Sequence, residues 1–204
     1  MALHAYDHVM EKGRPLGLKN CGLKGANTFS QLNGKFLRTA DFPDYVAALG
    51  SLRMEKAYRD YGHDMDNTDT LMEVGLSFTC DFAKPGGFIG DAAVKAQKEQ
   101  GGVKSLKQRL VQVLVKDPHP FLFHAEPVFR DGKAQGYVRA GSYGHTLGGA
   151  VGLCMLQRNQ ETDEPINKAY LESGRWEVEI AGTRYDCALS LSPMYDPKNL
   201  KIKA

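Results

Sequence analysis

The chain changes its apolar period at Gly102, and that change constrains the fold more than any other feature. Beyond it, "LKQRLVQVLV" (106–115) alternates apolar and polar residues, as a strand with one buried face does. "EPVFRDGKAQGYVRA" (126–140) reads as two short strands around Asp131-Gly132, a dipeptide suited to the positive φ angles of a tight hairpin. "AVGLCML" (150–156) and "RWEVEIAGTRYDCALS" (175–190) continue the series, the latter folding back at Ala181-Gly182. Short strands joined by tight turns pair antiparallel. A compact antiparallel barrel or sandwich is therefore expected over residues 103 to 192.

Ahead of Gly102 the signals are helical or irregular. Residues 3–12 set Leu3, Tyr6, Val9 and Met10 on one helical stripe, which Gly13 would stop. Residues 25–47 sustain no period of either kind. A second helix is expected from near Ala48 to Gly62, with Leu49, Leu52, Glu55/Lys56 and Tyr58 at helical spacings. Leu76–Phe82 reads as a strand, and "DAAVKAQKEQGG" as a short helix running from an Asp91 cap to a double-glycine stop. The class that follows is α+β, divided into residues 1–102 and 103–204.

Composition removes several functions. A net charge of +2 over 204 residues leaves no electrostatic footprint for nucleic acid or an anionic membrane. No apolar run approaches the roughly 18–20 residues needed to span a bilayer. Neither nucleic acid nor membrane is expected as a partner. Cys21, Cys80, Cys154 and Cys187 are scattered with no CxxC pair, so reduced thiols are expected, not a zinc site or a disulfide framework.

The charged stretch "SLRMEKAYRDYGHDMD" (51–66) invites a catalytic or metal reading. In "DMDNTDT" the calcium pattern needs Gly at its sixth position and Glu at its twelfth; counting from Asp64 these are Asp69 and Gly75. No metal site is expected, and the acids are read as caps and turn formers. His63 and His145 have no acid or nucleophile at a telling spacing. "GSYGHTLGGAVG" (141–152) matches neither a dinucleotide nor a phosphate-loop fingerprint, and its glycines suit tight bends. No catalytic residue is nominated.

Taken together, "LGSLRMEKAYRDYGHDMDNTDTLMEVGLSFTCDF", "FIGDAAV", "EPVFRDGKAQGYVRAGSYGHTLGGAVGLCML" and "YDPKN" resemble, in order, the aminomethyltransferase (glycine-cleavage T-protein) superfamily. The resemblance covers residues 1–24 and 48–204 and leans toward the C-terminal region of FAD-linked dimethylglycine and sarcosine dehydrogenases. It implies the end portion of a folate-binding domain, residues 1–102 with an atypical insertion at 25–47, followed by a small antiparallel β-barrel. It also implies tetrahydrofolate as cofactor, accepting a one-carbon unit from an N-methyl amine, and FAD only in an upstream flavin domain. The family's catalytic Asp and pterin-reading Glu fall before the position matching Met1. The chain therefore resembles an N-terminally truncated form, expected to bind folate weakly and not to catalyse by itself.

Residue carry-over is short. Phe78 falls where family members place a Tyr or Trp against the folate; a buried strand aromatic is the other reading. Tyr58 falls where some members face a Tyr toward the same slot. Leu49 stands where T-proteins carry a folate-facing Arg, so that contact is absent. Arg53 and Glu55 are expected to tie the helix to its neighbours. The insertion either bulges as a surface loop or is sequence that the active enzyme lacks. A T-protein-like aminomethyltransferase and a non-catalytic regulatory or interaction module of the same fold are the alternative functions. By resemblance the location is the mitochondrial matrix, or the cytoplasm in a bacterium.

Overall fold

A computed structural model describes Glu11 and residues 50–158 and 164–201. Apart from Glu11, which is helical, the expected helix at 3–12 lies outside the described residues, as do the insertion at 25–47, Cys21 and Leu49. Six strands are present: β1 (Gln108–Val115), β2 (Pro127–Arg130), β3 (Lys133–Gly144), β4 (Gly149–Gln157), β5 (Trp176–Ile180) and β6 (Thr183–Ser190). They close into an antiparallel barrel in the order β1-β4-β3-β2-β5-β6, with β6 returning to β1. Closure leaves the sheet no open edge.

Two hairpins begin as the sequence suggests. Asp131 and Gly132 take φ of 50° and 80° between β2 and β3, and Ala181 and Gly182 take 49° and 79° between β5 and β6. Positive φ at both central residues matches the right-handed twist of the strands they join. A longer connection, residues 116–126, crosses from β1 to β2. Leu122 anchors it in the barrel core while Phe121 and Phe123 point outward.

The barrel has apolar cover on both sides of β1 and β4. Val111, Val113, Val115, Cys154 and Leu156 face the interior with Trp176 and Val178. Leu110, Val151, Leu153 and Met155, from the opposite faces of the same strands, form a second core with Met54, Ala57 and Val74. That double burial explains why "AVGLCML" is continuously apolar where an outward-facing barrel strand would alternate. Residues 54–76 thus pack on the outside of the barrel wall through Met54, Ala57 and Val74.

Two local expectations give way. The helix expected to reach Gly62 stops early: π-helical residues 50–52 run into α1 (Arg53–Glu55), which ends there. Ala57 turns left-handed at φ 53°, its N–H donates to the Met54 carbonyl, and the Tyr58 N–H reaches back to that of Arg53. These are the paired bonds of a Schellman stop, a place glycine usually holds. An alanine there carries no stop signal in the sequence. Leu76–Phe82, read as a strand, holds a one-turn 3-10 helix at Ser77–Thr79 instead. A closed barrel offers it no edge to pair with.

The helix α2 (Asp91–Glu99) ends as expected at Gly101 and Gly102, both at positive φ. Its cap position is Gly90, with Asp91 the first helical residue, bonded to Lys95 one turn on. A short helix, α3 (Lys168–Glu172), links β4 to β5; the Trp176 indole N–H donates to its Leu171 carbonyl at 2.8 Å.

Cys154 and Cys187 are buried in the barrel, and burial drives both thiols upward, Cys187 to about 12. A thiol at that value presents almost no thiolate near neutrality. Iodoacetamide at pH 8 is therefore expected to label both at least about tenfold more slowly in the native protein than in urea, while half-buried Cys80 reacts without unfolding. Peptide mass spectrometry over a labelling time course checks this. Equal native and unfolded rates would contradict the placement.

Candidate functional site

The charged string at 51–66 is built into the joint between the outer segment and the barrel. Arg53, Glu55, Lys56 and Asp64 are all buried. Buried charges are tolerated when partners meet them, and these are met except at Glu55 Oε2, which takes no hydrogen bond among the described residues. Arg53 pairs with the Asp64 carboxylate and donates to the Tyr58 carbonyl at 2.9 Å. Asp64 also accepts the Asp60 N–H at 2.7 Å. Glu55 Oε1 accepts the N–H groups of Thr146 and Leu147, at 2.6 and 2.9 Å, in the β3–β4 turn. Lys56 Nζ donates to the Asp196 carbonyl and to Asn199 Oδ1, each at 2.7 Å. Arg53 and Glu55 thus tie the turn to its neighbours.

Gln112 completes the joint. It projects from the outer face of β1, its Nε2 donating to the carbonyls of Met54 at 2.7 Å and Glu55 at 3.0 Å. Its Oε1 accepts the Met194 N–H at 2.6 Å. One buried amide therefore joins α1, β1 and the C-terminal segment. Nothing in the alternation of β1 distinguishes it from a solvated residue. Lys56, Asp196 and Asn199 were equally invisible, being 140 and 143 positions apart in the chain.

The acids of "DMDNTDT" divide their roles. Asp66 caps Thr68 through its N–H and hydroxyl, as a turn former should. Asp64 and Asp69 do more: Asp64 serves Arg53, and Asp69 takes both terminal nitrogens of Arg139 on β3. His63 lies half-exposed with its ring 5.9 Å from that of His124, and the His145 ring stands 5.2 Å from Tyr143.

The two nominated folate contacts sit differently. Phe78 is 80% exposed on the Ser77–Thr79 turn, which disposes of the buried-strand reading and leaves its ring face open. Tyr58 is half-buried directly after the α1 stop, with Lys56 Nζ 6.0 Å from its ring centroid. Burial, helped by the Asp196 charge, pushes its phenol above the usual range, so it stays a neutral donor. Among the described residues no ring contact joins Phe78 to Tyr58. Phe121 and Phe123 are exposed where residues 116–126 cross β3, their rings 6.4 Å apart, and Phe121 stands 6.4 Å from the half-buried Tyr143.

A closed six-stranded antiparallel barrel is thus clasped along one wall by a buried charged turn. Residues 108–196 match the glycine cleavage T-protein C-terminal barrel domain, and the barrel belongs to that family. Over all 204 residues the chain is 34% identical to 4-methylaminobutanoate oxidase (formaldehyde-forming) of Paenarthrobacter nicotinovorans, and spans 20% of that protein. Over 156 residues, 76% of the chain, it is 30% identical to human mitochondrial sarcosine dehydrogenase, spanning 16% of it. Among solved structures, the glycine cleavage system aminomethyltransferase T from Bartonella henselae matches 74% of the chain and 39% of its own, with a TM-score of 0.56 at 17% identity. That last likeness is one of fold. The chain spans about a fifth of the length of the two oxidising relatives.

Proposed function

We propose that the chain is a folate-binding portion of a dimethylglycine- or sarcosine-dehydrogenase-like flavoenzyme, serving the passage of a one-carbon unit from an N-methyl amine to tetrahydrofolate. The observation that carries this reading is similarity along the whole chain to an enzyme that acts on a methylamino acid and forms formaldehyde. Tetrahydrofolate, when bound, supplies the amine nitrogens that capture a carbon at the formaldehyde level.

This chain's residues fit one wall of such a site. Phe78 presents an open ring on which a flat heterocycle or aminobenzoate can stack. Tyr58 offers a protonated phenol at the edge of the joint. Oxidation of the amine belongs to a flavin domain elsewhere in such an enzyme, in the mitochondrial matrix of a eukaryote or the cytoplasm of a bacterium.

One aromatic stack contributes on the order of 0.5–1.5 kcal/mol beyond area burial. Association costs at least several kcal/mol. Tetrahydrofolate is therefore expected to bind the 204-residue chain with a Kd of roughly 100 μM or weaker. In a chimera where the chain replaces the matching portion of sarcosine dehydrogenase, binding should tighten, and Phe78→Ala should loosen it about tenfold, or about 1.4 kcal/mol. Isothermal calorimetry on both proteins measures this. Nanomolar binding by the chain alone, or a chimera indifferent to Phe78→Ala, would place the slot elsewhere.

A further inference from the structure

We propose that Lys56 is a positioning residue: its buried ammonium latches the C-terminal turn, residues 194–200, to the joint and thereby sets the Tyr58 wall of the folate slot. The role in folate binding rests on the function proposed above; the latch itself does not.

Lysine is almost never fully buried unless its charge is matched, and Lys56 is only 1% exposed. An ammonium has three protons to place. Here they meet the Asp196 carbonyl at 2.7 Å, Asn199 Oδ1 at 2.7 Å and, more distantly, the Asp196 carboxylate at 3.5 Å. All of its acceptors come from one short turn. Asp196 and Asn199 both stand at positive φ, 43° and 55°, a backbone state with a cost for any residue but glycine. The Asp196 carboxylate accepts the N–H groups of Leu200 and Lys201, at 2.8 and 3.2 Å, and so shapes the turn from within. Lys56 grips the turn at its two left-handed residues.

The other neighbour of Lys56 is the Tyr58 ring, at the outer limit of cation–π distance. The same ammonium thus joins the turn to the aromatic nominated for folate. Gln112 holds Met194 independently, so loss of Lys56 should release residues 196–200 while the joint between α1 and the barrel persists. Lys56→Met keeps the bulk of the buried stem and removes only the charge and its donors.

The test uses the 204-residue chain. Tryptic cleavage after Lys198 and Lys201 should run about tenfold faster in Lys56→Met than in wild type, with the circular dichroism of the barrel unchanged. Tetrahydrofolate titrations, followed by NMR of labelled tyrosine rings with Tyr58→Phe for assignment, should show about tenfold weaker binding in Lys56→Met. Asn199→Gly, which removes one acceptor and keeps positive φ accessible, should move both readouts in the same direction; Asn199→Asp, which keeps an acceptor, should not. Unchanged cleavage in both Lys56→Met and Asn199→Gly overturns the latch. Faster cleavage with wild-type folate affinity overturns the positioning role alone. The sarcosine dehydrogenase chimera described above, if calorimetry finds no tetrahydrofolate binding at millimolar concentration, overturns the folate reading, and with it that role, while the cleavage result still judges the latch.

Discussion

Arg53→Met is expected to remove about 3–5 kcal/mol of stability, because it takes the guanidinium from the fully buried Asp64 carboxylate and leaves it only the Asp60 N–H and the half-exposed His63 Nδ1 at 3.2 Å. The loss comes less from the missing attraction than from the uncompensated charge left behind. The double variant Arg53→Met with Asp64→Asn should therefore recover more than half of the loss. Asparagine removes the charge and still accepts the Asp60 N–H that Asp64 now holds. Urea unfolding followed through the single tryptophan, Trp176, buried in the barrel, supplies the measurement. A loss below about 1 kcal/mol would mean the pair behaves as an exposed one. A double variant no better than Arg53→Met would mean that packing, not charge, carried the effect.

Gly141→Val should destabilise by a similar amount, roughly 3–5 kcal/mol, through a different cause. A Cβ at Gly141 would stand 2.5 Å from the Leu122 carbonyl oxygen and 2.7 Å from that of Phe123. Both obstacles are backbone, so the connection of residues 116–126 must lift off β3. Lifting it withdraws Leu122 from the core, the equivalent of emptying a leucine site. For a chain of this size each kcal/mol corresponds to about 2–4 °C of Tm. A fall of at least about 6 °C is thus expected in a thermal melt. Gly148→Ala meets nothing within 4 Å of its Cβ but sits at φ 75°, and should lose only the smaller cost of that backbone state. A loss at Gly141 no larger than that at Gly148 would show that the connection yields to the new side chain without withdrawing Leu122 from the core.

The barrel was legible because its signals are local. Alternation in β1 and the turn chemistry of Asp131-Gly132 and Ala181-Gly182 depend on residues within one strand length of each other. The double-glycine stop of α2 was readable for the same reason. The α1 stop was not, because Ala57 turns left-handed under bonds to Arg53 and Met54 that a helix-forming residue does not announce. Phe78 could be nominated from its place in the motif, but its exposure followed only once the closed barrel denied Leu76–Phe82 a strand partner.

By itself the sequence determined the antiparallel architecture after Gly102, its hairpins, and an ordered set of motifs resembling the T-protein superfamily. Only the tertiary structure decided what the charges at 51–66 are for. The resemblance ties Arg53 and Glu55 to neighbouring structure without naming a partner, and these two and Lys56 are buried because β1, β4 and residues 194–200 close over them. Their partners include Asp64, the N–H groups of Thr146 and Leu147, the Asp196 carbonyl and Asn199, most of them far away along the chain. A buried charge is stable only where donors and acceptors from several segments converge on it, and convergence over such separations leaves no periodic trace in a sequence.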